Sequence, residues 1–496
     1  MPQRRISFGL ERTAECALRT APPIGAAPPE EAPFGCVMRR LMELEDRLRL
    51  FEKRVDGAPL WEYARLRVHY ELAAQLDLLQ IETERRPLGT VGALQWGLGS
   101  LREAAAASPL RVGRRDIVFL GYPRRQLQSD RRWWDVHLDP LLEGLPWSHV
   151  YLRRRDRRRH YDPIPTRHSV PHDAIDLHVA AQRLLRPLRL STDDRRWLAA
   201  TSESLCRTFG VRLDLGPIVA PLLGRRRALV GCYRRMFARV RPKLVVVLAP
   251  NEQEQAAVEA AREAGIRTAE LQHGAFSPHD PSYAFPASAG RLACFADDLL
   301  LYGDYWREVL SSPPPQVRVR TIGFRHFEGN RARHPRGASD RIVFLSQRPI
   351  GRPLSRFALD LARHPRFAGR VVFRLHPDEA DWRERYPWLV DAPLDVDDGG
   401  TCSLYETLAS AGAQAGVYSF ALFEGAAQGL KTFVVGLPGS EAMTPLVELR
   451  GALKVRTADD LVDAERTTRL DVPIFRPGAR DNFYEYLRKV VGSPDA

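Results

Sequence analysis

Residues 244–286 restrict the fold more than any other stretch of the sequence. Leu244-Val245-Val246-Val247-Leu248 is a short apolar run, an Ala-rich amphipathic run begins at Ala256 and closes at Gly265, and a second apolar run ends at Leu271. It leads directly into Gln272-His273-Gly274-Ala275-Phe276-Ser277-Pro278-His279-Asp280. Strand, helix and strand in this order close a right-handed crossover in a parallel sheet. His273 then falls just beyond the carboxyl end of a strand, which is the edge where open α/β sheets bind ligands.

At 496 residues the chain exceeds what one core supports and suits two α/β domains with an extension. No apolar run approaches the ~18 residues of a membrane span, and the opening Met-Pro-Gln-Arg-Arg-Ile-Ser-Phe lacks the apolar core of a signal peptide, so the expected location is the cytoplasm. The six cysteines are scattered with no C-x-x-C pair, which predicts reduced, space-filling thiols and no zinc site. The formal charge of +13 comes almost wholly from Arg. Its densest run, Arg153-Arg154-Arg155-Asp156-Arg157-Arg158-Arg159, has no aromatic or Gly-rich recognition module around it, so it reads as a solvated loop and no nucleic-acid partner is expected. Peripheral contact with an anionic inner membrane remains an expectation from charge alone.

Taken in order, residues 1–34 read as a flexible leader of Ala, Pro, Arg and Glu. Over 35–112 a helical extension is expected, with Leu41, Leu44, Leu48 and Phe51, then Leu66, Tyr70, Ala73 and Leu76, at spacings of three and four. Trp61 and Tyr63 read as its core contacts. A Rossmann-like domain over 113–325 begins with the buried strand Ile117-Val118-Phe119-Leu120. Behind it, Trp133-Trp134-Asp135-Val136-His137-Leu138-Asp139-Pro140 offers two readings: Asp135, His137 and Asp139 face the ligand edge, or Asp139-Pro140 simply starts a helix. Further strands are expected at 292–295, 299–302 and 317–323, and the polar residues 326–339 read as a hinge. The second Rossmann-like domain, 340–496, alternates strands at 342–345, 371–375, 413–418 and 432–435 with helices at 354–364, 403–411 and 420–429. A last helix, 481–491, is expected to pack back across the hinge. The predicted fold class is therefore α/β, two doubly wound domains facing a cleft behind a helical extension.

Three loops of the second domain follow predicted strands: Ser346-Gln347-Arg348-Pro349, His376-Pro377-Asp378-Glu379, and Tyr418-Ser419-Phe420 opening a helix that carries Glu424. Ser419 suits an N-cap, and the free N–H groups of the helix it starts would attract an anion. His376 is placed to donate to a phosphate, and Glu424 sits where a carboxylate reaches a ribose diol. Asp397-Asp398-Gly399 reads as a turn. Asp395-Val396-Asp397 spells a metal-binding D-x-D but lies in the wrong domain context, so no metal is expected.

Glu270-Leu271-Gln272-His273-Gly274, Arg374-Leu375-His376-Pro377 and Ser419 with Glu424, in this order, resemble the glycosyltransferase B-fold (GT-B) enzymes that build bacterial surface polysaccharides. The relevant relatives are Kdo transferases, sialyl- and polysialyltransferases, and CDP-glycerol glycerophosphotransferases. The resemblance covers about residues 115–460. It implies a nucleotide-sugar donor, with Kdo or sialic acid on CMP as candidates, and a glycan or glycolipid acceptor. It also implies donor contacts from His376, Ser419 and Glu424, to which the neighbouring Ser346, Gln347 and Arg348 are added. No further cofactor is expected. His273 faces the cleft from the first domain and is the expected base, because an unperturbed imidazole titrates near neutral pH; Asp280, Asp135 and Asp139 are the alternatives. Three other activities fit the same signals: transfer of a polyol phosphate from a CDP-linked donor, 2-epimerisation of a nucleotide sugar, and a non-catalytic basic scaffold.

Overall fold

The computed structural model describes residues 33–76, 78, 90–156, 159–185, 188, 190–310, 313–337, 339–400, 402–464 and 473–494. The leader expected at 1–34 lies outside them except for its last two residues, which begin the helix Pro33–Leu48.

The N-terminal sheet holds seven parallel strands: β1 Ile117–Leu120, β2 His149–Arg153, β3 Ser169–Pro171, β4 Leu244–Leu248, β5 Arg267–Leu271, β6 Asp298–Leu301 and β7 Arg318–Thr321. They lie side by side as β3-β2-β1-β4-β5-β6-β7. The C-terminal sheet holds six: β8 Arg341–Leu345, β9 Arg370–Arg374, β10 Asp395–Asp397, β11 Ala413–Gly416, β12 Lys431–Val435 and β13 Leu453–Val455, in the order β10-β9-β8-β11-β12-β13. Both orders are that of a dinucleotide-binding sheet, in which the chain reverses direction beside the first strand. The reversal falls between β1 and β4 in one domain, where Ile117 pairs with Leu244, and between β8 and β11 in the other, where Ile342 pairs with Ala413. Leu244, Val245, Val246 and Leu248 are fully buried, because helices cover both faces of a parallel sheet and its central strands must be apolar throughout.

The helical extension is real and integral. Trp61 and Tyr63 are buried as expected; Trp61 Nε1 donates to Glu45 at 2.8 Å and Tyr63 to Glu259 at 2.7 Å. One expectation fails for an identifiable reason. Residues 292–295 form no strand: the backbone N–H groups of Ala293 and Cys294 donate to the Glu62 carboxylate at 3.0 and 2.7 Å, a side-chain partner that replaces a sheet neighbour. The segment between the two sheets, where the hinge was expected, includes the helix Arg325–Arg333, whose buried Phe327 meets Phe475 at 4.6 Å between ring centroids.

The final helix, Ala479–Val490, does return to the first domain: the Tyr486 hydroxyl donates to Asp298 at 3.0 Å, and Trp147 Nε1 donates to the Gly492 carbonyl at 2.8 Å. The segment before it lies against the loops after β6 and β7. Arg476 N donates to the Tyr302 carbonyl at 2.8 Å. A Cβ on Gly303 would sit 1.9 Å from the Ile474 carbonyl oxygen, so only glycine permits this backbone approach. Among the described residues no helix is long and apolar enough to cross a membrane.

Candidate functional site

The carboxyl edges of the two sheets oppose one another. Arg124, in the loop after β1, pairs with Asp378, in the loop after β9, at 3.7 Å. Toward β6 and β7 an aromatic contact closes the space between domains: Phe420 of the helix Phe420–Ala427 stacks on Trp306 at 6.0 Å, and Phe423 meets the same indole at 4.7 Å. The crevice that remains lies beside both reversal points.

On the C-terminal wall, Glu379 organises the strand-end loops. Its buried carboxylate accepts from the Ser346 hydroxyl at 3.0 Å, from the His376 backbone N–H at 2.7 Å and from the Tyr386 hydroxyl. His376 stays partly exposed, its Nδ1 accepting from the Asp378 N–H at 3.2 Å. Ser419 caps its helix by accepting from the Ala421 N–H at 3.3 Å. Gln347 is half-buried, and its side-chain oxygen has no hydrogen-bond partner among the described residues. The structure therefore brings His376, Ser346, Gln347 and Ser419 to one edge. Two other expected donor contacts are placed differently. Arg348 turns toward its own domain, donating to the Asp378 carbonyl at 2.8 Å and to both Asp381 oxygens at 2.8 and 3.1 Å. Glu424 is buried, accepts from the Tyr405 hydroxyl, and is pushed up to about 7 by that burial, so it lies on the packed face of its helix.

On the N-terminal wall burial shifts several titratable groups toward their uncharged forms. His273 is pushed down to about 3 by desolvation and then by the nearby His137. Its Nδ1 has no partner among the described residues, and its ring lies 6.0 Å from that of Tyr122. An imidazole titrating near neutrality was expected here; the enclosed site holds an uncharged one instead. His137 is lowered to about 4 and shares a 2.7 Å hydrogen bond with Tyr302, and His326 is lowered to about 3. Asp280 is raised by burial and accepts from the Ser282 N–H at 2.8 Å.

Asp135 and Asp139 serve an internal network and do not face the crevice. Asp135 is fully buried and accepts from the Tyr151 hydroxyl and from the Tyr122 and His137 N–H groups at 2.9 to 3.1 Å. Asp139 is raised to about 6 by burial, pairs with Arg125 at 3.0 Å and accepts from the Asp135 N–H at 2.7 Å. Asp139-Pro140 does begin the short helix Asp139–Leu142, so the structural reading of that cluster describes the geometry.

No family model matches the chain, and no curated protein matches it. Among solved structures it is similar to the UDP-GlcNAc 2-epimerase of Methanocaldococcus jannaschii, with 9% identity, 75% of this chain and 99% of that chain covered, and a TM-score of 0.43. It is also similar to the UDP-GlcNAc 2-epimerase of Neisseria meningitidis (11%, 76% and 93%, TM-score 0.41). A third is the wall teichoic acid polymerase TagF (10%, 82% and 95%, TM-score 0.37).

Sequence reasoning missed the residues that hold the crevice in shape. Arg65, in the extension helix Leu60–Gln75, grips Glu45 through two nitrogens at 2.6 and 3.0 Å and donates its third to the Pro281 carbonyl, one residue beyond Asp280. Phe285 and Phe51 flank its guanidinium at 4.7 and 5.7 Å. The extension thereby fixes the loop that follows His273. Arg124 links the two walls, while Tyr122 packs against His137 and His273 on the N-terminal one; the sequence signal for both was their place just after Gly121 at the end of β1. Among the described residues no group of three or more His, Cys, Asp or Glu is arranged to hold a metal ion. A groove lined by Arg234, Phe237, Arg241, Lys243 and Glu263 lies at the opposite, amino edge of the N-terminal sheet, where Arg234 pairs with Glu263 and Lys243 with Asp116.

Proposed function

We propose that the chain is a nucleotide-sugar-dependent glycosyltransferase acting in bacterial surface-polysaccharide synthesis, with the donor nucleotide on the C-terminal wall and the acceptor on the N-terminal wall. The observation that carries this reading is the opposition of unlike carboxyl edges: a partly exposed His376 beside a Ser419-capped helix start on one side, and on the other His273, whose Nδ1 has no partner among the described residues and whose basicity burial lowers. His376 and the helix N–H groups suit the phosphate that gains charge as the donor's glycosidic bond breaks, and the proposed scheme invokes no metal ion. The acceptor hydroxyl oxygen forms the new bond to the anomeric carbon, the nucleotide phosphate leaves with the electron pair of the old one, and the hydroxyl proton passes to His273. Its basicity, lowered by burial, rises when an anionic donor sits nearby and favours the imidazolium.

A thermal-shift panel with CMP, CDP, UDP and GDP tests the reading. At a hundred times its dissociation constant a bound nucleotide adds about 2.7 kcal/mol of stability. No shift with any of the four contradicts it. Once a base is found, product analysis with and without acceptor separates glycosyl transfer from polyol-phosphate transfer and from epimerisation, which needs no acceptor.

A further inference from the structure

The helix Thr90–Ala106 is amphipathic in the reverse sense. Leu94, Leu98 and Leu101 recur at spacings of four and three, which places them on one face, and they are 64%, 59% and 57% exposed. The opposite face carries small and polar residues turned inward: Ser100 is fully buried, Glu103 pairs with Arg153 at 3.8 Å, and a Cβ on Gly99 would lie 3.5 Å from the Arg155 guanidinium. The leucines therefore do not point outward for want of a packing face; that face is already in use. The helix packs on its neighbour Asp173–Leu185, whose last residues, Leu184 and Leu185, are 84% and 80% exposed. An apolar surface of this kind on a globular domain marks an interaction site.

We infer that this leucine stripe docks on an anionic lipid bilayer. The charge around it selects that occupant. Arg102 follows Leu101, Arg183 precedes Leu184, and both are exposed, as is Arg159 in the loop beneath the helix. Leucines bordered by arginines match a surface that is apolar within and negatively charged at its headgroups. A second copy of the chain fits less well, because a two-fold contact through the stripe sets the same arginines against each other. The loop after β2 and the helix after β3 that support the stripe both leave the sheet at its carboxyl edge, the edge that bears His273. The inference does not rest on the proposed activity, since bilayer binding is read without substrate.

The test is flotation of the full chain with vesicles of phosphatidylcholine alone and of phosphatidylcholine containing about one third phosphatidylglycerol. Binding to the anionic vesicles only, weakening with salt, is the expected result. The triple variant Leu94→Ser, Leu98→Ser, Leu101→Ser and the double variant Arg102→Glu, Arg183→Glu should each bind at least about tenfold more weakly, with unchanged melting temperatures because all five positions are exposed. If the leucine variant melts lower, the charge variant and the salt dependence still decide. Equal binding to neutral vesicles, or undiminished binding of both variants, overturns the inference. So does sedimentation velocity showing a self-associated chain that the leucine variant dissociates.

Discussion

The two walls of the crevice occupy equivalent places in two sheets of the same strand order, yet they handle charge in opposite ways. On the N-terminal wall burial drives several groups toward their uncharged forms: His137, His273 and His326 are lowered, while Asp280 and Glu270 are raised, the latter to about 8. On the C-terminal wall Asp381 is held below the usual carboxylate range by its bond to Arg348, and His376 remains partly exposed. The difference follows from what covers each edge. The extension and the long loop after β5 enclose the first, whereas short turns after β8 and β9 leave the second open. A neutral wall suits a hydroxyl and a proton acceptor; an open, polar one suits a phosphate.

The contrast can be broken most severely at the extension. Arg65→Met leaves Glu45 buried without its cation and should cost about 3 to 5 kcal/mol of stability in denaturant unfolding, with part of the loss recovered when Glu45→Leu is added. The walls are separated next by a pair of variants. His376→Ala should remove the nucleotide-induced stabilisation of about 2.7 kcal/mol, whereas His273→Ala should keep it and lower turnover by about 10²-fold or more. Equal nucleotide responses in the two variants would erase the distinction. At the closed end of the crevice, Gly303→Ala forces the segment at Ile474 outward and should lower stability by about 1 to 3 kcal/mol.

The comparison also predicts a pH dependence. Glu270 is raised to about 8 by burial, with Glu254 and Asp280 acting in the same direction and the Tyr283 hydrogen bond opposing. The folded chain thus keeps a proton that the unfolded chain loses in the ordinary carboxylate range. Its contribution is complete below that range and is lost as pH rises through about 8, with a limiting slope of about 1.4 kcal/mol per pH unit. Glu270→Gln should flatten the decline of stability between pH 6 and about 8. An unchanged decline would show that Glu270 is ionised in the fold.

The sheets were legible because their central strands are uninterrupted apolar runs, and 117–120, 244–248 and 342–345 emerge in the structure within a residue of their expected limits. The helix within the expected hinge was not legible because Arg325–Arg333 is polar overall and its one large buried side chain, Phe327, is anchored by Phe475, a distant residue that local pattern cannot supply. Of the candidate site, His273 and His376 were expected just past strands, and they lie there. The inward turn of Glu424 depends on Tyr405, and the enclosure of Asp135 on Tyr151 and Tyr122, contacts made only in three dimensions. The role of Arg65 was invisible for the same reason, since Pro281 lies 216 positions away.

The central claim is that nucleotide and acceptor belong to different walls. Hydrogen exchange of the full chain, with and without the nucleotide that gives the largest thermal shift, measures this directly. The account predicts slowed exchange in the loops at 346–349, 376–379 and 419–422, with residues 273–280 unchanged. Slowing confined to 273–280 would place the nucleotide on the wrong wall and contradict it.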